Sequence, residues 1–346
     1  VDLMEYKIRN LDELLSKTEY ILRECNARFK KPCILWSTGK DSTALLHMAK
    51  TTFFGKIPWD VVHMDTTYKF PEIYKFRDKL AKEWNIPLKI ANKITEHKPG
   101  DLTEDEVFNC CMDRKTLALK EIFEKEHYDA AILAIRWSEL GVRSKEHFFS
   151  PRTHKWEWII VKPRTEDMEE GDSPFVAVTE PELWSLYQTD FGKDCEHVRV
   201  HPILHWSEIE IWEYIKRNNI PYNPLYNANY NWRKKVLSKG KVCRSCKCYC
   251  YDSDYPSDCL NDESGKNFID ANYVCKYHEY DFPCRFPEQM ERYRSLGCYP
   301  CTRPIQSSAS TIEEFQDEIY TSKTPERAGR KQKDKIMERL RYLGYM

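Results

Sequence analysis

Apolar and polar positions alternate along the 346-residue chain in two rhythms. Leu11, Leu14, Leu15, Ile21 and Leu22 recur at roughly helical spacing, which predicts a first helix over "LDELLSKTEYILRECNARF". Four short apolar runs then read as buried strands: "PCILWS", "WDVVHMDTTY", "IPLKIA" and "YDAAILAIRW". Between them stand helical stretches: "DSTALLHMAKTTF", "PEIYKFRDKLAKEW" with Pro71 at its start, and a segment from about Asp113 to Lys125. "VRVHPILHWSEIEIWEYIKRNNIPYNPLY" reads as a short strand followed by a helix capped by Ser207, with Glu210 three residues on. Such alternation predicts an α/β fold, a doubly wound and mostly parallel sheet with crossover helices. Ligands of such sheets gather at the C-terminal ends of the strands. Ser37 to Ser42, Asp65 with Thr66, and Arg136 with Trp137 all stand at such ends.

The rhythm stops near Lys234, and up to about Pro287 cysteine, tyrosine and aspartate dominate. Three regions are therefore expected: a nucleotide-type domain over 1–233, a Cys-rich metal-binding insert over 234–287, and a C-terminal segment over 288–346 with a Cys pair and a helix. Charged residues make up 32% and hydrophobic ones 41%, with a formal net charge of −1, so the chain exerts no global pull on nucleic acid. No apolar run approaches the ~20 residues of a membrane helix, and no apolar signal core stands at the start, so a cytoplasmic protein without membrane contact is expected. Fourteen cysteines in uneven clusters then argue for metal or redox chemistry rather than a disulfide framework.

"CILWSTGKDSTALLHM" is where strand turns into helix. Gly39 permits close backbone approach, and the first N–H groups of a helix point at whatever lies above them. Lys40 adds positive charge, and Ser37 and Ser42 add hydroxyls, a combination suited to phosphate. A Walker loop needs a glycine where this chain has Ile34, so that reading fails. A serine-rich helix cap with no ligand remains the plain alternative for the motif alone. The order Ser-x-Gly-Lys-Asp-Ser resembles the pyrophosphate loop of the ATP pyrophosphatases, which cut ATP between its α- and β-phosphates. With "HMDTTYKFPEIYKFRDKLAKEW", "RSKEHFFSPR", "EPELWSLY", "HWSEIEIWEYIKRNNIPYNPLY" and "RYRSLGCYP…TPERAGR…GY", the chain resembles the small subunit of bacterial sulfate adenylyltransferase and the wider phosphoadenosine-phosphosulfate reductase family. The resemblance implies an adenine nucleotide α-hydrolase-like fold that binds ATP with Mg2+. It implies that Ser37, Thr38, Gly39, Lys40, Asp41 and Ser42 hold the phosphates and that Asp65 and Thr66 line the adenosine pocket. Arg136, Arg143 and Lys145 would join Lys40 at the polyphosphate or the attacking oxyanion, unless Arg143 and Lys145 are ordinary surface charges.

Two cysteine pairs stand outside the adenylyltransferase pattern. "NCCMDRKTLAL" and "GCYPCTR" resemble the iron–sulfur ligand set of assimilatory adenylylsulfate reductases, which implies a [4Fe–4S] cluster on Cys110, Cys111, Cys298 and Cys301. Zinc on the same thiolates, or two unrelated buried pairs, are the alternatives. The reductases attack sulfur with a cysteine near their C-terminus, but the 45 residues after Cys301 contain none. A retained ATP loop, a cluster and no reducing thiol together resemble the pyrophosphatase subunits of DNA phosphorothioation systems (the DndC and SspD kinds). That likeness implies a cysteine desulfurase as sulfur source and DNA and other modification subunits as partners, with a homo-oligomer left open. Cys243, Cys246, Cys248 and Cys250 in the insert have spacing for zinc, or for a sulfur relay. The expected function is ATP cleavage to AMP and pyrophosphate that adenylates an oxyanion for sulfur incorporation, foremost on the DNA backbone. The alternatives are the sulfate adenylyltransferase small subunit with its GTPase partner, an iron–sulfur reductase, and a non-enzymatic iron–sulfur scaffold.

Overall fold

Every residue of the strand before the serine–glycine turn is buried, as a strand covered on both faces must be. The computed structural model describes residues 9–95, 103–144, 146–157, 187–193, 195–228, 290–321, 325–327, 330, 336, 337, 339 and 340. Its sheet contains β1 (Pro32–Leu35), β2 (Asp60–Asp65), β3 (Leu88–Asn92), β4 (Ala130–Ile132), β5 (Phe149–Arg152) and β6 (His197–Val200). They lie in the order β3-β2-β1-β4-β6-β5, all parallel except β5, which runs antiparallel to β6.

Side chains alternate across this sheet into two cores. Ile34, Val61, Ile132 and Val200 face α1 (Leu11–Arg28), α2 (Lys40–Thr52), α3 (Pro71–Glu83) and α6 (Glu208–Arg217) through Leu22, Leu45, Leu80 and Ile211. Cys33, Leu35, Val62 and Ala131 face the opposite side, against Leu119, Ile122 and Phe123 of α5 (Ala118–Glu126). Helices on both faces make the sheet doubly wound, as its alternating pattern requires. Strand order reverses between β1 and β4, so a crevice opens above their C-terminal ends.

Three elements depart from the sequence reading. The helix expected from about Asp113 begins earlier, as α4 (Glu104–Cys111) with a Thr103–Glu106 capping box, and passes through a π-helical stretch, Met112–Leu117, into α5. The "YDAAILAIRW" strand is three residues long, and Leu133 to Ile135, just beyond it, line the crevice. β5 is added at the edge, where "FFSPR" lacked an alternating pattern to announce it. By contrast, Ser207 and Glu210 form the expected capping box. In the C-terminal segment, β7 (Glu291–Arg292) pairs with β8 (Ile305–Gln306), and α7 (Ile312–Thr321) places Phe315 in the first core. No helix among the described residues is long and apolar enough to cross a membrane.

Candidate active site

The crevice above β1 and β4 has a cavity volume of about 160 Å³. Ser37, Gly39, Lys40, Asp41 and Ser42 form one wall, and Leu133, Ala134 and Ile135 another. The loop braces itself: the Ser37 and Ser42 hydroxyls lie 3.0 Å apart, and Ser42 Oγ donates to the Gly39 carbonyl at 3.2 Å. Gly39 is the N-cap of α2 and has no side chain to cap it. The phenol of Tyr226 serves instead, accepting from the Lys40 N–H at 2.9 Å. Thr38 differs from its neighbours. It is buried with φ +66°, its hydroxyl lacks a hydrogen-bond partner, and it does not line the crevice.

Lys40 and Arg136 form the electrostatic centre, each 1% exposed or less. Lys40 Nζ pairs with Asp41 at 3.2 Å, Glu208 at 3.7 Å and Glu326. Arg136 donates to Asp41 at 2.7 Å, Glu326 at 2.6 Å and Ser138 at 3.2 Å. Burial opposes both charges, but Asp41, Glu326 and Glu208 outweigh it and hold both groups protonated. Burial likewise opposes the Glu326 carboxylate, yet Arg136 and Lys40 keep it well below the usual range. Glu208 moves the other way: burial and the nearby Glu326 charge raise its pKa against Lys40 and Arg294, the latter bonded at 2.8 Å. Arg136 is fully buried and does not line the crevice while Glu326 is bound to it; its partners Asp41 and Glu326 do line it.

Farther along, Lys69, Lys115, Arg143, Arg327 and Arg330 line the crevice. Arg143 pairs with Glu139, which also accepts from Arg327 at 3.1 Å. Thr66 lines the crevice and Asp65 does not. Its carboxylate turns aside to accept from Tyr74 Oη and the Thr67 N–H, both at 2.8 Å. Lys145 lies outside the described residues.

Cys110, Cys111, Cys298 and Cys301, from two segments almost 190 positions apart, surround one small closed cavity with Thr66, Tyr68, Arg114 and Lys115. The π-helical stretch after Cys111 carries Arg114 and Lys115 round to this cavity. Thr66 Oγ1 lies 3.1 Å from Cys298 Sγ, and Lys115 Nζ lies 3.6 Å from Cys111 Sγ. Burial would raise the Cys298 pKa, but Lys115, Lys69, the Thr66 bond and Arg330 together bring it below its ordinary value. Burial and neighbouring thiols push Cys110 up to about 11 and Cys301 up to about 12. Thr66 and Lys115 belong to both cavities, so the thiols and the crevice share a wall. Among the described residues no three His, Cys, Asp or Glu side chains are grouped to hold a metal ion. Cys243, Cys246, Cys248 and Cys250 lie outside the described residues.

Residues 31–304 match the phosphoadenosine phosphosulfate reductase domain. The chain belongs to that family. Among its relatives in the phosphoadenosine phosphosulfate reductase family, sulfate adenylyltransferase subunit 2 of Pseudomonas paraeruginosa is 32% identical over 94% of this chain and 93% of its own. The subunit 2 of Azotobacter vinelandii is 31% identical over 94% of both chains. Among solved structures, the phosphoadenylyl-sulfate reductase of Candida auris shares 16% identity over 65% of this chain and 92% of that one. Its TM-score of 0.36 is too low to bear on the site.

The residues that complete the network were not legible as partners in the sequence. Tyr226 and Glu326 reach Lys40 across 186 and 286 positions. "NPLY" and "TPER" carried a likeness, but nothing local assigned them an ion pair or a cap.

Proposed function

We propose that the chain is an ATP pyrophosphatase that transfers AMP to an oxyanion in sulfur metabolism. The carrying observation is the Ser37–Ser42 loop over β1 with buried, protonated Lys40 at the strand-order reversal. An acceptor oxygen attacks the α-phosphorus, the bond to the bridging oxygen of the β-phosphate breaks, and pyrophosphate leaves with that electron pair. Lys40 and the α2 N-terminus stabilise charge on the departing phosphates, and Arg136 fixes Asp41 beside them. Mg2+ fits as an ion carried by the nucleotide's phosphates, since no described carboxylate cluster forms a cage for it.

Sulfate is the acceptor supported by the relatives, which match along 93–94% of their own length and whose name as a subunit suggests a partner chain. A DNA phosphate is the second reading, with a cysteine desulfurase supplying sulfur. It is favoured by the cysteine cavity that shares Thr66 and Lys115 with the crevice. Four thiols lining one cavity among cations are the donor set that a [4Fe–4S] cluster would use. When bound, that cluster supplies redox or Lewis-acid chemistry beside the acceptor.

Exchange of labelled pyrophosphate into ATP by the anaerobically purified chain tests this. Sulfate-dependent exchange assigns the sulfate reading, whereas exchange or AMP formation requiring duplex DNA, desulfurase and cysteine assigns the other. Absence of ATP cleavage with either acceptor overturns the enzyme.

A further inference from the structure

Glu326 holds two cations as a phosphoryl group would. One carboxylate oxygen accepts from Lys40 Nζ and the other from Arg136 at 2.6 Å. Both cations are buried, so the carboxylate occupies a built anion seat and not a chance surface pairing. The same stretch of chain is fastened on its C-terminal side. Arg327 donates to Glu139 at 3.1 Å, and Arg330 donates to Ser295 Oγ at 3.1 Å and Thr302 Oγ1 at 3.0 Å.

The charges around this seat already balance. Asp41, Glu208 and Glu326 face Lys40, Arg136 and Arg294. A polyphosphate entering here with all three carboxylates in place meets like charge at hydrogen-bond distance, in a site where screening by water is weak. One carboxylate must yield. Asp41 and Glu208 stand in the first turns of α2 and α6, and Glu208 is committed to Arg294. Glu326 stands on a turn outside any helix or strand, and its two bonds go to the cations that a phosphoryl group needs.

We propose that Glu326 is a resident competitor for the phosphate seat, displaced from Lys40 and Arg136 by the terminal phosphates of ATP or by pyrophosphate. The competition lowers apparent affinity by the fraction of time the seat is free of the carboxylate. It also gives two buried cations a further carboxylate when no nucleotide is bound, beside the Asp41 they share. This inference rests on the phosphate-binding reading of the Ser37–Ser42 loop and assigns Glu326 the control of its occupancy.

Inorganic pyrophosphate, titrated calorimetrically into the full-length chain with Mg2+ held constant, is the probe. Glu326→Gln keeps the side chain's shape and removes its charge, and is expected to bind pyrophosphate about tenfold more tightly. In the wild-type chain, saturating pyrophosphate should speed hydrogen exchange in peptides containing residues 325–330, a readout that does not depend on the variant folding. Equal or weaker binding by a folded Glu326→Gln chain, or slower exchange in the wild type, overturns the proposal and makes Glu326 part of the bound site. Lys40→Ala separates the two ideas: if the wild type binds pyrophosphate and Lys40→Ala does not, the phosphate seat stands whatever Glu326 does. If neither the wild type nor Glu326→Gln binds, both readings fall.

Discussion

The Tyr226 hydroxyl accepts a hydrogen bond from the Lys40 backbone N–H at 2.9 Å and so caps, from 186 residues away, the helix that carries the phosphate loop. A Cβ at position 39 would start in contact with both Ser37 Oγ and Tyr226 Oη, each 3.4 Å away. Tyr226→Phe leaves the ring in place against Trp212, 5.2 Å between centroids, and removes only the acceptor. The buried N–H is then unsatisfied, and a loss of about 1–3 kcal/mol is expected in urea denaturation. An unchanged midpoint would mean that water replaces the phenol there.

Lys40→Ala removes the cation that Asp41, Glu208 and Glu326 share. ATP cleavage should fall by about 10²–10³-fold or more, the scale of losing one preorganised charge-stabilising group. Secondary structure and thiol count serve as controls. Turnover near the wild-type rate would remove the loop from the chemistry.

Much of this architecture was written in the chain's local patterns. The β1–α2 turn, the Ser207–Glu210 box and the alternation of strands and helices follow from spacing that nearest neighbours already impose. Other features depend on pairings the chain makes only after folding. The π-helical turn at Met112–Leu117 differs from α-helix by one residue of winding, which no apolar period records. Arg136 follows a strand end as the spacing indicates, but nothing local showed that it would be fully buried, with Asp41 and Glu326 offsetting its desolvation. Asp65 was placed correctly along the chain, but the Tyr74 hydroxyl, one helical turn into α3, draws its carboxylate away.

Buried histidines set the acid limit, among them His63, His201 and His205. His63 donates to the Trp36 carbonyl at 2.9 Å, His201 to the His147 carbonyl at 2.8 Å, and His205 to the Leu14 carbonyl at 3.2 Å. Burial is the main cause that lowers their pKa values from 6.5, to about 3 for His63 and about 4 for the other two. Below pH 6.5 the unfolded chain takes up protons that the folded protein refuses, so stability falls as pH drops from about 6.5 through about 4. Urea midpoints should decline between pH 7 and 5, above the ordinary carboxylate range, and His63→Gln should flatten part of that slope. A level profile would show that these rings are protonated in the native state.

Phe315 ties the C-terminal segment to the nucleotide domain. Its ring is fully buried, 4.9 Å from Trp212 and 6.1 Å from Tyr222, with the Arg292 guanidinium 4.8 Å from its centre. Phe315→Ala leaves a cavity in the core shared with α6 and is expected to cost about 3–5 kcal/mol. One cooperative transition at lower urea concentration is the predicted outcome. Two separated transitions would show that the segment folds as an independent unit.

Cys298 offers the sharpest test of the cysteine cavity, because it touches both of its neighbours' chemistry. Its sulfur sits 3.1 Å from Thr66 Oγ1, and Thr66 also lines the crevice. The wild-type chain purified without oxygen is expected to carry about four irons with matching acid-labile sulfide. Cys298→Ser should lose most of both, since serine is a poor iron ligand, while pyrophosphate binding by the Ser37–Ser42 loop persists. Full iron in the variant would take Cys298 out of the ligand set. Zinc in place of iron in the wild type would instead assign the four thiols to a single tetrahedral ion.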